Sequence, residues 1–182
     1  MKKHHTLLLS GLGSSACPWR YAAWARELKK RILTHPNLRD VENHKIHLLS
    51  SDGPGENAFF DEVLEDYKKG QLGHVITAGH SNGARDQFRG IERLYAYKIP
   101  VEYVAVIDMT LGEFGATAFG NIRVLDEFWA GLQTADFDKS FKGTHNFYDL
   151  DKLMGKNVGH VEAASLEFVQ NLITENIAKV FK

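Results

Sequence analysis

The segment Gly79-His80-Ser81-Asn82-Gly83 places a serine between two glycines at the spacing G-x-S-x-G. A serine hydroxyl is a weak nucleophile until a turn presents it and a neighbouring base takes its proton. This spacing is that of a nucleophile elbow, a sharp turn between a strand and a helix. Each residue type has a physical task there. The glycines keep side chains out of a turn too tight for them, and the strained turn lifts the hydroxyl off the sheet. The helix N-terminus beneath it favours developing negative charge. The chemistry implied is attack by Ser81 on a carbonyl. The plainer reading is a glycine turn that only joins a strand to a helix.

An elbow needs a buried strand before it and an amphipathic helix after it, and the pattern supplies both. His74 to Ala78 reads as the strand, and Ala84, Phe88, Ile91 and Tyr95 form a helical stripe running to a stop at Pro100. The same alternation recurs along the chain. A strand at Thr6–Leu9 enters the loop Ser10-Gly11-Leu12-Gly13-Ser14-Ser15, and a helix opens near Pro18 with the stripe Tyr21, Ala25, Leu28 and Ile32. A strand at Ile46–Leu49 ends in Ser51-Asp52-Gly53-Pro54-Gly55 and precedes a helix marked by Phe60, Val63, Leu64 and Tyr67. Val101–Ile107 is almost wholly apolar, as a strand buried on both faces should be, and it ends at Asp108. After a glycine-punctuated region, Ile122–Leu125 reads as a further strand. A last helix, from about Glu162, aligns Leu166, Val169, Ile173, Ile177 and Val180. Alternating strands and helices predict an α/β fold: a three-layer α/β/α sandwich on a mostly parallel sheet of five or six strands.

The elbow at Gly79 to Gly83, the strand and loop Leu7 to Gly13, and Gly159-His160 before the final helix together resemble the α/β-hydrolase family, in particular its small cap-less lipase, cutinase and esterase-like members. The resemblance spans nearly the whole chain and implies a serine hydrolase. In that family the loop after the first central strand often begins His-Gly and donates a backbone N–H to the oxyanion. Here Ser10 stands in place of the histidine and Gly11 is retained, so Leu12 and Asn82 are the implied oxyanion donors. The family's triad runs Ser, then Asp or Glu, then His. Of the histidines after Ser81, His160 fits better than His145, because it follows a glycine and precedes the C-terminal helix. Asp108, at the end of its strand, is the favoured acid, and Asp126 and Glu127, after the next strand, are the alternatives. The short interval from Asp108 to His160 leaves no room for a large cap. Phe114, Phe119, Phe128 and Trp129 either line an acyl pocket or fill the core.

The remaining composition narrows the function classes. The 182 residues, 43% hydrophobic with net charge -1, suit one globular domain over 1–182, and no charge run draws it to nucleic acid or an anionic membrane. The apolar run after Met1-Lys2-Lys3-His4-His5 stops at Leu9, too short for a signal segment or membrane span, so a cytoplasmic protein is expected. The single Cys17 closes no intrachain disulfide and reads as packing. His4, His5, His35, His44, His47 and His74 read as surface or capping residues and His80 as packing. His44 and His47 point to opposite faces of a strand, no zinc-like spacing emerges, and no metal or cofactor is expected. The expected partner is a small-molecule ester, thioester or other acyl compound. An acyltransferase on the same serine and a non-catalytic binding module are the rival functions.

Overall fold

The computed structural model describes residues 1–11, 22–51, 55–110 and 116–182. Leu12, Cys17, Pro18, Tyr21 and Phe114, singled out above, lie outside the described residues, as do positions 52–54. In chain order the elements are β1 (Lys3–Ser10), α1 (Ala23–Thr34), β2 (His44–Ser50), α2 (Gly55–Lys68), β3 (Leu72–His80), α3 (Asn82–Ala96) and β4 (Val101–Ile107). There follow β5 (Thr117–Ala118), β6 (Ile122–Trp129), β7 (Asp136–Phe137), β8 (Thr144–Asp149), α4 (Leu150–Met154), α5 (His160–Ala163) and α6 (Glu167–Val180).

Six strands pair in the order β2-β1-β3-β4-β6-β8, every pair parallel, while β5 and β7 form a separate two-stranded piece. Parallel strands need helical crossovers, and these cover both faces. On one face Phe59, Phe60, Val63 and Leu64 of α2 and Phe88, Ile91 and Leu94 of α3 pack on Leu7, Leu9, Val104 and Val106. On the other, Trp24, Leu28 and Ile32 of α1 and Val169, Ile173 and Ile177 of α6 pack on Leu8, Tyr103, Ala105 and Ile107. The result is the α/β fold with a parallel six-stranded sheet between two helical layers. Burying each Val, Leu, Ile or Phe side chain among these contributes about 1.5–3 kcal/mol, and β4, apolar toward both layers, anchors the centre. Among the described residues no helix is long and apolar enough to cross a membrane.

Four expectations need correction. Tyr67 and Tyr95, assigned to apolar stripes, are 43% and 39% exposed, each in the last turn of its helix, where a phenol can keep its hydroxyl in water. The strand begun at Ile122 continues through Asp126 and Glu127 to Trp129, so these two carboxylates stand inside β6 and not after it. The edge strand β8 has no counterpart in the sequence reading. The final helix is two, α5 and α6, separated at Ala164–Leu166.

Candidate active site

The strand order reverses between β1 and β3: the chain leaves β1 outward to β2, then returns across it to β3 and continues the other way. At such a switch point the loops beyond the strands' C-terminal ends diverge and leave a crevice. Ser81 follows β3 there, and Gly11 follows β1.

Ser81 adopts φ 60° and ψ -128°, a region in which an L side chain is strained. Its neighbours leave the backbone no other path. A Cβ on Gly79 would lie 2.5 Å from the Gly83 carbonyl oxygen, and one on Gly83 only 2.1 Å from the Leu9 carbonyl oxygen. Both glycines are therefore required by close backbone approach. The Ser81 N–H donates to the Ile107 carbonyl at 3.1 Å, and its carbonyl accepts from the Ala84 N–H at 3.1 Å, tying the turn to β4 and to the first turn of α3. Gly11 comes so close that a Cβ there would lie 2.9 Å from Ser81 Oγ, so the backbone just past β1 stands against the hydroxyl. Asn82 opens α3, where the first backbone N–H groups have no partner within the helix. Its side-chain oxygen accepts from the Thr110 hydroxyl. Leu12, the other implied oxyanion donor, lies outside the described residues.

Asp108, the residue directly after β4, has φ 38° and is 1% exposed. Its Oδ2 lies 2.6 Å from His160 Nδ1. Its Oδ1 accepts from the backbone N–H groups of Ala130, at 2.9 Å, and Leu132, at 3.3 Å. Both oxygens are thus engaged, and the shorter contact goes to the imidazole. Since a carboxylate only accepts, Nδ1 carries the proton and Nε2 has the free lone pair. His160 opens α5 and is held from a second side: His80 Nε2 donates to the His160 carbonyl at 2.9 Å, and the two rings stack at 4.7 Å. His80 does more than pack, since it fixes the backbone of His160 from the position next to Ser81. Burial depresses its pKa to about 4 and keeps it neutral.

The alternative acids and the alternative histidine go elsewhere. Asp126 is fully buried and accepts from Tyr103 Oη at 2.8 Å, Asn146 Nδ2 at 2.8 Å and Asn176 Nδ2 at 2.5 Å. Glu127 accepts from the Ala135 N–H at 2.7 Å and pairs with His145 Nε2 at 2.9 Å. Burial pushes the Glu127 carboxyl up, and His145 in turn packs its ring 4.6 Å from Phe137. Of the three candidate acids, Asp108 and Glu127 each pair with an imidazole, and the pair beside Ser81 is Asp108–His160.

The proposed acyl-pocket aromatics disperse. Phe128 is fully buried in the core and stacks on Tyr148, and Phe119 stacks on Tyr95 in the last turn of α3, far along that helix from Ser81. Of the three that are described, only Trp129 stays near the pair, in the segment whose Ala130 and Leu132 N–H groups hold Asp108. Thr110, which the sequence does not single out, and His80, expected there to pack, brace the turn. Their signal is no more than adjacency to Asp108 and Ser81.

Of the histidines expected at the surface or in caps, His35 accepts from the Asn37 N–H at 3.2 Å as a cap does, while several others differ. His5 is fully buried against Asp66. His44 donates to or accepts from Thr6 Oγ1 at 2.8 Å, and burial lowers its pKa to about 4. His4, His44 and His74 surround Phe181 at ring distances of 5.1, 5.0 and 5.3 Å. Family models, curated proteins and solved structures were all compared with the chain, and none matches it.

Proposed function

We propose that the chain is a serine hydrolase of the α/β-hydrolase type, acting on a carboxylic ester or thioester of a small molecule or lipid through an acyl-enzyme on Ser81. The observation that carries this reading is the strained Ser81 between β3 and α3, with the Asp108–His160 pair, 2.6 Å apart, held against the preceding residue. Strain of about 1–3 kcal/mol at one residue is a cost that a purely structural turn has no need to carry.

In this reading His160 Nε2 accepts the Ser81 proton as the oxygen attacks the carbonyl carbon. Asp108 holds the Nδ1 proton and stabilises the imidazolium that forms. The Asn82 N–H, at the positive end of α3, and the Leu12 N–H take the developing oxyanion. The imidazolium then protonates the leaving alcohol or thiol. Water enters and gives its proton to His160 as its oxygen attacks the acyl carbon, and His160 then returns that proton to Ser81 Oγ as the acyl–oxygen bond breaks and the acid leaves.

Fluorophosphonate labelling of the full chain tests the assignment. The label should map to Ser81 and vanish in Ser81→Ala, with a loss of about 10⁴ to 10⁶ in kcat on an activated ester. Labelling that persists in the variant would overturn it.

A further inference from the structure

Away from Ser81, a second group of chemically active side chains lies where β1 and β2 pass beneath α2. His5 is paired with Lys45 and Leu7 with His47 in the β1–β2 register. Paired residues of parallel strands share a face, as do residues two apart on one strand, so His5 and His47 both point toward α2. From that helix Phe59 closes over them, its ring 5.0 Å from His47 and 6.2 Å from His5. Glu62, one turn on, brings Oε2 to 3.8 Å from His47 Nε2. One ligand-type atom from each of His5, His47 and Glu62 lies within 4.8 Å of the other two.

The nitrogens are left bare. His5 is 0% exposed, and its Nε2 donates to Asp66 Oδ2 at 3.0 Å, which leaves the lone pair on Nδ1. Among the described residues neither His5 Nδ1 nor His47 Nε2, both buried, has a hydrogen-bond partner. Buried polar atoms of folded chains almost always have one, so two such nitrogens beside one carboxylate call for an occupant. A carboxylate behind an imidazole, as Asp66 stands behind His5, is also the arrangement that orients a metal-bound histidine and raises its basicity.

We propose that His5 Nδ1, His47 Nε2 and the Glu62 carboxylate bind a divalent transition-metal ion of the zinc class, which clamps α2 to the edge of the sheet. Two imidazoles and one carboxylate suit zinc, whereas magnesium and calcium take all-oxygen sets. Bonds of about 2.0–2.1 Å put tetrahedral donors about 3.3 Å apart, so the set must draw inward. His47 and Glu62, with side chains 22% and 31% exposed, are free to turn. The Lys45 ammonium, bonded to Glu62 Oε1, remains as an outer partner. Water completes the fourth position. At a strand's rise per residue His5 lies about 16 Å along β1 from Ser10, so this ion takes no part in chemistry at Ser81.

The test uses the untagged full chain, stripped with chelator and titrated calorimetrically with zinc alone, with cobalt(II) as a spectroscopic probe. One zinc per chain should bind and raise the thermal midpoint, and cobalt should show the intense visible bands of a four-coordinate site. His47→Gln and Glu62→Gln should each weaken zinc by about 100-fold or more and abolish the rise, and Asp66→Asn should weaken it by about 10- to 100-fold. Both primary substitutions are at partly exposed positions, and their zinc-free midpoints establish that they fold. His74→Gln, in the cluster around Phe181, should bind as the parent does. Absence of stoichiometric zinc binding, or binding unchanged in both His47→Gln and Glu62→Gln, would overturn the proposal.

Discussion

Replacing Asp108 by Asn isolates the charge of the acid from its structural work. Asp108 Oδ1 accepts from the Ala130 and Leu132 N–H groups, and an Asn oxygen can keep both bonds. The backbone favours the exchange as well, since φ is 38° at this position and Asn tolerates positive φ better than most residues. The amide NH2 must then face His160 Nδ1, where Oδ2 now sits at 2.6 Å. Two N–H groups cannot point at each other, so the ring takes the opposite tautomer: Nδ1 accepts, and Nε2 carries the proton. A protonated Nε2 cannot receive the proton of Ser81. The expected loss is about 10⁴ in kcat, or about 5 kcal/mol of barrier, while the urea midpoint moves by less than about 1.5 kcal/mol in stability. Asp108→Ala is the wrong experiment. It leaves two backbone donors unpartnered, at about 1–3 kcal/mol each, and confounds chemistry with folding. The assay is hydrolysis of an activated ester by Asp108→Asn, Asp126→Asn and Glu127→Gln side by side, with the latter two expected to keep most of their activity. If Asp108→Asn retains more than about a tenth of kcat, or Glu127→Gln loses as much as Asp108→Asn should, the tautomer argument fails.

Two further predictions concern stability. Ser81→Gly should raise it by about 1–2 kcal/mol, because glycine relieves the strain at φ 60° but gives back part of the gain as chain entropy; Ser81→Ala, which keeps the strain, should leave the urea midpoint nearly unchanged. Equal midpoints for the two variants would argue against stored strain. The second concerns His80. Its folded pKa, about 4, lies below the ordinary 6.5, so the unfolded chain binds the proton first. Stability is therefore full above pH 6.5 and falls as pH drops toward 4, by up to about 3 kcal/mol from this residue. His80→Gln, which cannot titrate but can still donate to the His160 carbonyl, should show a shallower fall in urea denaturation between pH 7 and 4.5. An identical fall would assign the acid sensitivity to His44 and the other buried histidines.

What was legible in the sequence was local. The elbow occupies consecutive positions, and its neighbours announce a buried strand and an amphipathic helix. Val101–Ile107 reads as a strand because both of its faces are apolar, and both are indeed covered. Elements whose stability comes from distant partners were not legible. β8, Thr-His-Asn-Phe-Tyr-Asp, is a half-exposed edge strand with no apolar run, and only pairing with β6 makes it a strand. From sequence alone β6 stops at Leu125, because Asp126 and Glu127 look like a loop. Their burial is made tolerable by Tyr103, Asn146, Asn176, Ala135 and His145, groups from separate stretches of chain. The His5, His47 and Glu62 cluster was invisible for the same reason: its members come from three elements, and no spacing motif joins them.

The choice among the three acids shows why position on a strand decides what a carboxylate can do. Asp126 and Glu127 are mid-strand, so the alternation of side chains sends one toward α6, where Asn176 meets it, and the other to the opposite face. There each carboxylate has its oxygens taken by the residues that make its burial possible. Asp108 comes one residue past β4, where the positive φ ends the alternation and its N–H still bonds back to Phe128 at 2.7 Å. Freed from the pleat, its side chain meets the loop of Ala130 and Leu132 on one side and His160 on the other. An interior carboxylate satisfied by its own sheet is locked into the fold. One at the strand end keeps an oxygen for a group arriving from the C-terminal region, and in the proposed hydrolase that oxygen orients the base beside Ser81.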